Sequence, residues 1–477
     1  MVRRKKKGTP ENRTDQGFFS DASGITRIGA STPYDFQGGR MTPFGGLLPL
    51  ATMLEKLRFQ KLVEETITVK RSPRAMGVYG FVLSLLLALY IGFDRLSHMK
   101  YIAVDPIITG VLGVISLPVQ STFWRFLQSL RIFNVKQWQR INRLMIERAW
   151  QGAKVEMDRV TVDTDTTVNT VYGRQQGARR SYNPKNRGKR SYQPILSFIA
   201  ETGEFIAGRQ RHGDNPTGEE ISKHLDEVFV SLPSKVRHVR SRADAGFYCL
   251  EAVQAHERKG YEFIITARKT RPLVAALEKA TWKAVRAGEE VTSFFYQPQG
   301  WPRPYRFVAI RCPATLERGE QYQLFETEQY VYRVFVTNMQ GKPERLIEFY
   351  DGRAGAENLI KESNNDAGLA SVPSGRFIAN MNFFWLAMLA YNLNRWLSLF
   401  SLAEGEVYRR TMLSTQRLTI LFVAAKIVRH SHRTKVRFQS HHPMRERLSE
   451  LLERLRALRW RGDDLVPVFR YAFVAEI

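Results

Sequence analysis

One order of hydrophobic periods, running from residue 159 to residue 267, constrains this chain more than any other feature. RVTVDTDTTV at 159–168 reads as a strand, and PILSFIA and EFIAGRQ read as a second and a third. An amphipathic helix over 218–232 follows, then a fourth strand in KVRHVR, a turn at 243–246, a helix to about residue 258 and a fifth strand in YEFIITA. Three strands, a helix, a strand, a helix and a strand build a mixed sheet covered by helices.

That is the element order of an RNase H-like core, so the expected fold class is α/β with this core interrupted once and flanked at both ends. From residue 46 to about 150 the pattern is helical. Within it, MGVYGFVLSLLLALYIGF at 76–93 carries no charge over 18 residues, the lower limit for a membrane-spanning helix. Arg71 and Arg74 precede it, Asp94 and Arg95 follow, and no second segment resembles it, so it reads as a helix buried inside an N-terminal domain. Further on, Leu117-Pro118 and Ser121-Thr122 suggest an N-cap for a helix over 123–130. Two short helices joined in this way read equally as a helix-turn-helix and as part of a packing or dimerisation bundle.

Between residues 284 and 338 alternation returns in EVTSFFYQ, YRFVAIR, YQLFE and YVYRVFVT, with turns at 298–304 and 317–320. The helical period resumes at Arg353 and runs into the apolar FIANMNFFWLAMLAYNLNRWLSLF; KIVRHSHRTKVRF is strand-like and RERLSELLERLRALRW helical. The expected organisation is a disordered basic lead (1–45), an all-α DNA-binding or dimerisation domain (46–155), the core in two parts (156–283 and 341–403) around a β-strand insertion (284–340), and a small C-terminal DNA-binding or dimerisation region (404–477).

A chain of 477 residues, 43% hydrophobic and 12% aromatic, has ample material for buried cores. Its 72 Lys+Arg against 46 Asp+Glu leave a net charge of +26, which points to a polyanionic partner, nucleic acid in preference to an anionic membrane. MVRRKKKG is followed by polar residues and so reads as a phosphate-touching arm, not a signal peptide. Cys249 and Cys312 alone exclude a disulfide framework and a thiolate zinc site; both are expected to be buried packing residues in a reducing compartment.

The acids stand where phosphodiester chemistry would need them. Cutting DNA at neutral pH requires an activated water and charge stabilisation on two oxygens, which two hard cations about 4 Å apart supply. Such ions take carboxylate ligands held rigidly on neighbouring elements. Alternation puts Thr161, Asp163 and Asp165 on one strand face, and Asp244 lies just past the end of the fourth strand. EFYDGRAGAENLIKE is expected to place Tyr350, Arg353 and Glu357 at the start of a helix, with Lys361 one turn further; a surface ladder Arg353–Glu357–Lys361 fits the same spacing.

Tyr350-x-x-Arg353-x-x-x-Glu357 resembles the Y-R-E signature of the DDE transposases of bacterial cut-and-paste insertion sequences, and DTDTTVNTVYG and RADAGFY resemble the same family's first two acidic motifs. The resemblance runs from about residue 161 to residue 400, insertion included. It implies metal-dependent nicking at transposon ends, then attack by the freed 3′-hydroxyl on the opposite strand or on target DNA. It also implies that Asp165, Asp244 and Glu357 are the catalytic and metal-binding residues, with Mg²⁺ as cofactor and Mn²⁺ able to substitute. Asp165-Thr166-Thr167 fits the family's Asp-x-Ser/Thr, and Asp163 competes with it from the same strand face. Tyr350 and Arg353 would contact phosphate near the cut. A lysine often stands seven residues after the glutamate; Asn364 is there in this chain, and Lys361 is the substitute. Trp301 is the aromatic expected either against a displaced base or in the core.

No acid occurs between Thr166 and Ala200, where Arg174, Arg179, Arg180, Lys185, Arg187, Lys189 and Arg190 are interleaved with tyrosines, a tract suited to clamping phosphate beside the active-site edge. A second acid-free stretch, 411–445, is basic and histidine-rich; its His430, His432, His441 and His442 read as DNA-facing in preference to metal ligands. The expected partners are double-stranded DNA, as transposon ends and target, and a second copy of the chain in a synaptic homodimer, with no membrane. The expected location is the bacterial cytoplasm, at the nucleoid. The alternative is a catalytically inactive, transposase-derived DNA-binding protein, against which the three intact acids argue. A membrane-associated protein would rest on residues 76–93 alone.

Overall fold

The structure, a computed structural model, describes residues 29–473 apart from 71–75, 182, 184–185, 287, 314–329, 403–405, 432 and 470–472. Most of the expected lead, the flanking Arg71 and Arg74, the turn at 317–320, the strand YQLFE, Lys185 and His432 therefore lie outside the described residues. Residues 29–40 are exposed, irregular chain and belong to a unit of their own; everything below concerns the other unit, Met41–Ile477.

After a two-residue strand β1 (Met41–Thr42), the chain is helical as far as residue 153: α1 (Leu47–Lys56), α2 (Phe59–Thr66), α3 (Val78–Ile91), α4 (Met99–Ile102), α5 (Pro106–Leu112), α6 (Gln120–Ser129) and α7 (Ile132–Ala153). Helix α3 is the uncharged segment, and every residue from Phe81 to Ile91 is buried, as a helix apolar on all sides requires. It stops at Gly92, whose φ of 112° suits glycine. Among the described residues no single helix is long and apolar enough to cross a membrane. Asp105 caps α5 by accepting from the backbone N–H groups of Ile107 and Ile108. Helix α6 differs from expectation: it starts at Gln120 behind Val119, so Ser121 and Thr122 lie in its first turn and do not cap it.

The expected strand–helix order is present. Strands β2 (Arg159–Thr166), β6 (Ile195–Ile199) and β7 (Phe205–Arg209) form an antiparallel meander. Helix α8 (Gly218–Ser231), closed by a Thr217–Glu220 capping box, crosses over to β8 (His238–Ala243), which lies parallel to β2. Helix α9 (Leu250–Lys259) then leads to β9 (Glu262–Thr266), parallel to β8. The spatial order β7-β6-β2-β8-β9 is the mixed sheet of an RNase H-like core. The excursion between β2 and β6 carries its own three-stranded sheet, of β3 (Asn169–Thr170), β4 (Arg179–Arg180) and β5 (Arg190–Tyr192), ordered β3-β5-β4.

Beyond β9, helix α10 (Arg271–Glu278) leads into the insertion strands β10 (Lys283–Arg286), β11 (Glu289–Tyr296), β12 (Tyr305–Pro313) and β13 (Tyr330–Thr337). They do not form a sheet of their own. Strand β13 pairs antiparallel with β9, with Phe335 opposite Thr266, so the insertion extends the core sheet to nine strands, β10-β11-β12-β13-β9-β8-β2-β6-β7.

Helices α11 (Pro343–Asp351), α12 (Ala354–Asn365) and α13 (Phe377–Phe400) follow. In α13 every residue from Asn382 to Phe400 is buried, which leaves its amides without water and obliges them to pair internally. Asn392 accepts from Phe205 N–H at 2.8 Å and donates to Asn142 Oδ1 of α7, also at 2.8 Å; Trp138 Nε1 donates to Asn382. These bonds tie α7, β7 and α13 together, and the N-terminal helices share one continuous hydrophobic core with the sheet. The C-terminal part is helical at α14 (Leu413–Gln416) and α15 (Arg445–Ala457). Its strand-like piece is a hairpin, β14 (Ala425–His430) and β15 (Arg433–Phe438), and a short pair, β16 (Arg459–Arg461) and β17 (Asp464–Val466), closes it.

Candidate active site

The parallel register of β2 and β8 sets Asp163 opposite Arg242 and Thr164 opposite Ala243. One step further along, Asp165 and Asp244 stand past the last paired residues on the same face, by the alternation of strand side chains. Asp163 and Asp165 therefore have different surroundings. Asp163 is 2% exposed and both its oxygens are taken by Arg242: Nε donates to Oδ1 at 2.6 Å and Nη2 to Oδ2 at 2.8 Å. Burial raises its pKa, and the two charge-assisted bonds oppose that rise.

Asp165 opens toward the helices. Burial pushes its carboxyl up to about 6 against the pull of Arg353, and the nearby charges of Asp244 and Glu357 push in the same direction as burial. Asp165 is thus within electrostatic reach of the other two acids singled out from the sequence. Asp244 caps a single 3₁₀ turn, its Oδ1 accepting from Gly246 N–H at 2.9 Å. Glu357 lies exposed in the first turn of α12.

The helix expected to carry Tyr350, Arg353 and Glu357 is broken. Helix α11 ends at Asp351 and α12 begins at Ala354, so Tyr350 belongs to the first, Glu357 to the second and Arg353 to the joint between them. Arg353 does not join a ladder with Glu357 and Lys361. Its Nη2 lies 2.8 Å from Asp165 Oδ2, in an ion pair too poorly aligned for a hydrogen bond, and Asp165, Tyr350, Asp244 and Asp163 raise its pKa although burial opposes its charge. Among the described residues neither Glu357 nor Lys361 makes an ion pair, and Lys361 is exposed one turn on. Tyr350 is half-buried, packs its ring at a tilt against Phe335 with centroids 4.5 Å apart and accepts from Thr266 Oγ1 at 2.6 Å. Asn364 donates to Thr167 Oγ1 at 3.2 Å, beside the first acidic motif.

Arg242 is the residue that reading the sequence missed. Besides Asp163, its Nη1 donates to Phe349 O at 2.8 Å and its guanidinium lies 5.0 Å from the Phe349 ring, which joins β2 and β8 to the end of α11. Gly352 allows that approach, since a Cβ there would stand 2.5 Å from Arg242 Nη1. A signal was present: Arg242 stands two residues before Asp244, on the same face of a strand predicted to neighbour β2.

The remaining expected residues fall in two places. Arg179 and Arg180 lie on β4 and Arg190 on β5, with Arg174, Arg187 and Lys189 in the connecting loops, and all six are exposed. Arg179 pairs with Asp214 at 2.5 Å; the other five make no ion pair among the described residues. Trp301 is half-buried between Tyr248, 5.4 Å away, and Tyr305, at 5.1 Å, which places it next to the loop that follows Asp244. Cys249 and Cys312 are partly exposed, not buried as expected.

Oxygen donors are what hard divalent cations take, and Asp165, Asp244 and Glu357 supply only such donors. Burial first, and then the neighbouring acids, raise Asp165 in spite of Arg353, a balance that a cation would relieve, so the residues fit a cation by their chemistry. As the side chains stand, no three His, Cys, Asp or Glu residues among those described are gathered closely enough to hold a metal ion.

No curated protein matches the chain. Two similar solved structures are a piggyBac transposase synaptic complex with hairpin DNA (13% identity, TM-score 0.42, 78% of each chain covered) and a Mos1 transposase paired-end complex with left transposon end (12% identity, TM-score 0.17, 43% of this chain and 64% of that one). The family profile described as Transposase DDE domain group 1 matches residues 29–460, nearly the whole chain, and the protein belongs to that family of DDE transposases.

Proposed function

We propose that this chain is the transposase of a bacterial insertion sequence, which cuts the ends of its element and joins them to target DNA. The observation that carries this is that Asp165, on β2, lies beside Arg353 and within electrostatic reach of both Asp244, just past β8, and Glu357, in the first turn of α12. In this reading Asp165, Asp244 and Glu357 hold Mg²⁺, and Mn²⁺ substitutes for it. Bound there, a pair of such ions supplies an activated water and charge stabilisation on the attacking and leaving oxygens.

The chain's own residues do the rest. Arg353 answers the negative charge of the acids and is placed to meet the scissile phosphate when it leaves Asp165. Tyr350, held by Thr266 and Phe335, and the exposed Lys361 flank the same strand. The arginines of the β3-β5-β4 sheet bind backbone phosphate beside the cut, and Trp301 faces a displaced base. Two copies pair two double-stranded ends in the bacterial cytoplasm.

The test is cleavage of an end-containing duplex with Mg²⁺ by the full chain and by Asp165→Ala, Asp244→Ala and Glu357→Ala. Each variant is expected to bind the duplex and to lose cutting by at least about 10³-fold. Wild-type activity in any of the three refutes the assignment, and a wild type that binds ends and never cuts favours the inactive, DNA-binding alternative.

A further inference from the structure

We propose that the hairpin β14–β15 is a duplex-DNA-binding surface in its own right, a ribbon whose solvent face lies along the phosphate backbone. The inference rests on the transposase reading for its partner and on the geometry of the hairpin for its place.

Residues directly opposite in an antiparallel pair share a face. The register sets Lys426 opposite Arg437, Val428 opposite Lys435 and His430 opposite Arg433 on one side, and Ala425 opposite Phe438 and Ile427 opposite Val436 on the other. The second side is the packed one. Ala425 and Ile427 are buried, Val436 and Phe438 rest on the core, and Gly45 approaches so closely that a Cβ there would meet Phe438 Cε1 at 2.9 Å. Strand β1 covers the outer edge of β14, with Thr42 opposite Ala425. The hairpin is thereby anchored along one face and one edge.

The other face is basic apart from Val428. Lys426, His430, Arg433, Lys435 and Arg437 are all exposed there, no acid occurs between residues 411 and 445, and none of the five makes an ion pair among the described residues. A solvated edge strand is the alternative, and one or two lysines suffice to keep an edge from pairing. This ribbon goes further: Lys426 and Arg437 are like charges directly opposite, an arrangement that destabilises a hairpin, and β15 repeats a cation at every second residue. A polyanion relieves that repulsion. Side chains two residues apart along a strand are about 6.8 Å apart, and duplex phosphates on one strand advance about 3.4 Å per step along the axis. The three cations of β15 are thus close enough together to meet neighbouring phosphates of one strand, and a two-stranded ribbon is of a width that a DNA groove admits.

The experiment compares full-length wild type with Arg433→Gln/Lys435→Gln/Arg437→Gln. A control triple, Lys61→Gln/Lys223→Gln/Lys235→Gln, removes the same charge from lysines already paired with Glu65, Glu219 and Glu156. Binding to an element-end duplex and to a random duplex is followed by fluorescence anisotropy across a salt series. The hairpin triple is expected to bind both duplexes about 10²-fold more weakly near physiological salt, with a log–log salt slope shallower by about 2.7. The control is expected to change little, and the hairpin triple to melt no lower than wild type without DNA. The proposal is overturned if both triples lose affinity equally, if the hairpin triple binds as wild type does, or if it keeps DNA and loses only binding to phosphatidylserine vesicles. A wild type that binds no duplex overturns the transposase reading as well, whereas a wild type that binds and cuts beside an unaffected hairpin triple overturns the hairpin alone.

Discussion

Replacing Arg242 by methionine separates what holds the fold from what holds the third acid. The substitution removes three bonds, two to Asp163 and one to Phe349 O, and strands a carboxylate that is 2% exposed. Breaking one side of a buried ion pair costs about 3–5 kcal/mol, so urea unfolding of Arg242→Met is expected to report a loss of that size. Arg242→Lys keeps the charge but not the fork, and is expected to recover only part. The informative variant is Asp163→Leu/Arg242→Met, in which an apolar pair of similar volume replaces the ions. Such replacements are neutral or stabilising in many proteins, so stability should return to within about 1 kcal/mol of wild type. The bond to Phe349 O stays lost, and with it one tie between the strands leading to Asp165 and Asp244 and the helices leading to Glu357. Misplacing a catalytic group by about 1 Å costs on the order of 10²-fold in rate, so the double variant should fold and bind ends normally yet cut about 10²-fold more slowly. Cleavage is measured under single-turnover conditions with saturating Mg²⁺. A double variant that cuts at the wild-type rate would refute the reasoning, and Arg242 would then be a structural residue only.

Four further outcomes are expected. Gly352→Ala puts a Cβ 2.5 Å from an Arg242 nitrogen that is pinned by its other bonds, so it should cost about 1–3 kcal/mol in chemical denaturation; an unchanged midpoint would show that the joint yields freely. Arg353→Ala leaves Asp165 beside Asp244 and Glu357 without its counter-charge, so the variant should melt lower than wild type without metal and gain more from added Mg²⁺ in a thermal shift assay; equal gains would count against it. Arg180→Gln/Arg187→Gln/Lys189→Gln should flatten the salt dependence of duplex binding by a slope of about 2.7, and an unchanged slope would remove the β3-β5-β4 sheet from the DNA contact. Stability should also depend on pH. Burial raises Glu204 to about 7, despite hydrogen bonds from Trp150, Thr202 and Trp396, so the stability it permits is full below its ordinary value of 4.5, is lost as pH rises from there to about 7, and changes no further above that. Buried His224 and His256 are lowered to about 3 and about 4, so they remove stability as pH falls below their unfolded value of about 6.5. Above about pH 7 these groups add no slope, so the melting temperature should be level from about pH 7.5 to 8.5, and Glu204→Gln should gain on wild type as pH rises from 4.5 to 7; a difference between the two proteins that is the same at pH 4.5 and pH 7.5 would contradict this.

The core sheet was legible because its signals are local. Period-two alternation in RVTVDTDTTV, the Thr217–Glu220 capping box and the uncharged run of α3 each show up within a few residues, and each formed the expected element. What stayed hidden depended on neighbours distant in sequence. Alternation alone puts Asp163 and Asp165 on one face; what distinguishes them is Arg242, 79 residues from Asp163, which occupies one and leaves the other open. The insertion strands could be recognised, but not the pairing of β13 with β9, because nothing in either strand names its partner. The break before Arg353 was within reach, since Gly352 and Gly355 punctuate DGRAG, yet the spacing of Tyr350, Arg353 and Glu357 reads as helical and masks it. Trp301 looked exposed because its neighbours are prolines and a glycine; Tyr248 and Tyr305 cover it from other elements.

The split between α11 and α12 gives the constellation of acids an uneven mechanics. Asp163 and Asp165 ride on β2, and Asp244 directly follows its parallel neighbour β8, so their spacing is set by the sheet. Glu357 stands on a separate rod, reached through a short joint that Arg242 and Arg353 tie to the strands. The group thus resembles a caliper with a fixed jaw and a sliding one. One adjustable coordinate is the seat of Phe349 and Gly352 on Arg242, and substitutions there should retune the opening of the jaws without removing the residues that grip.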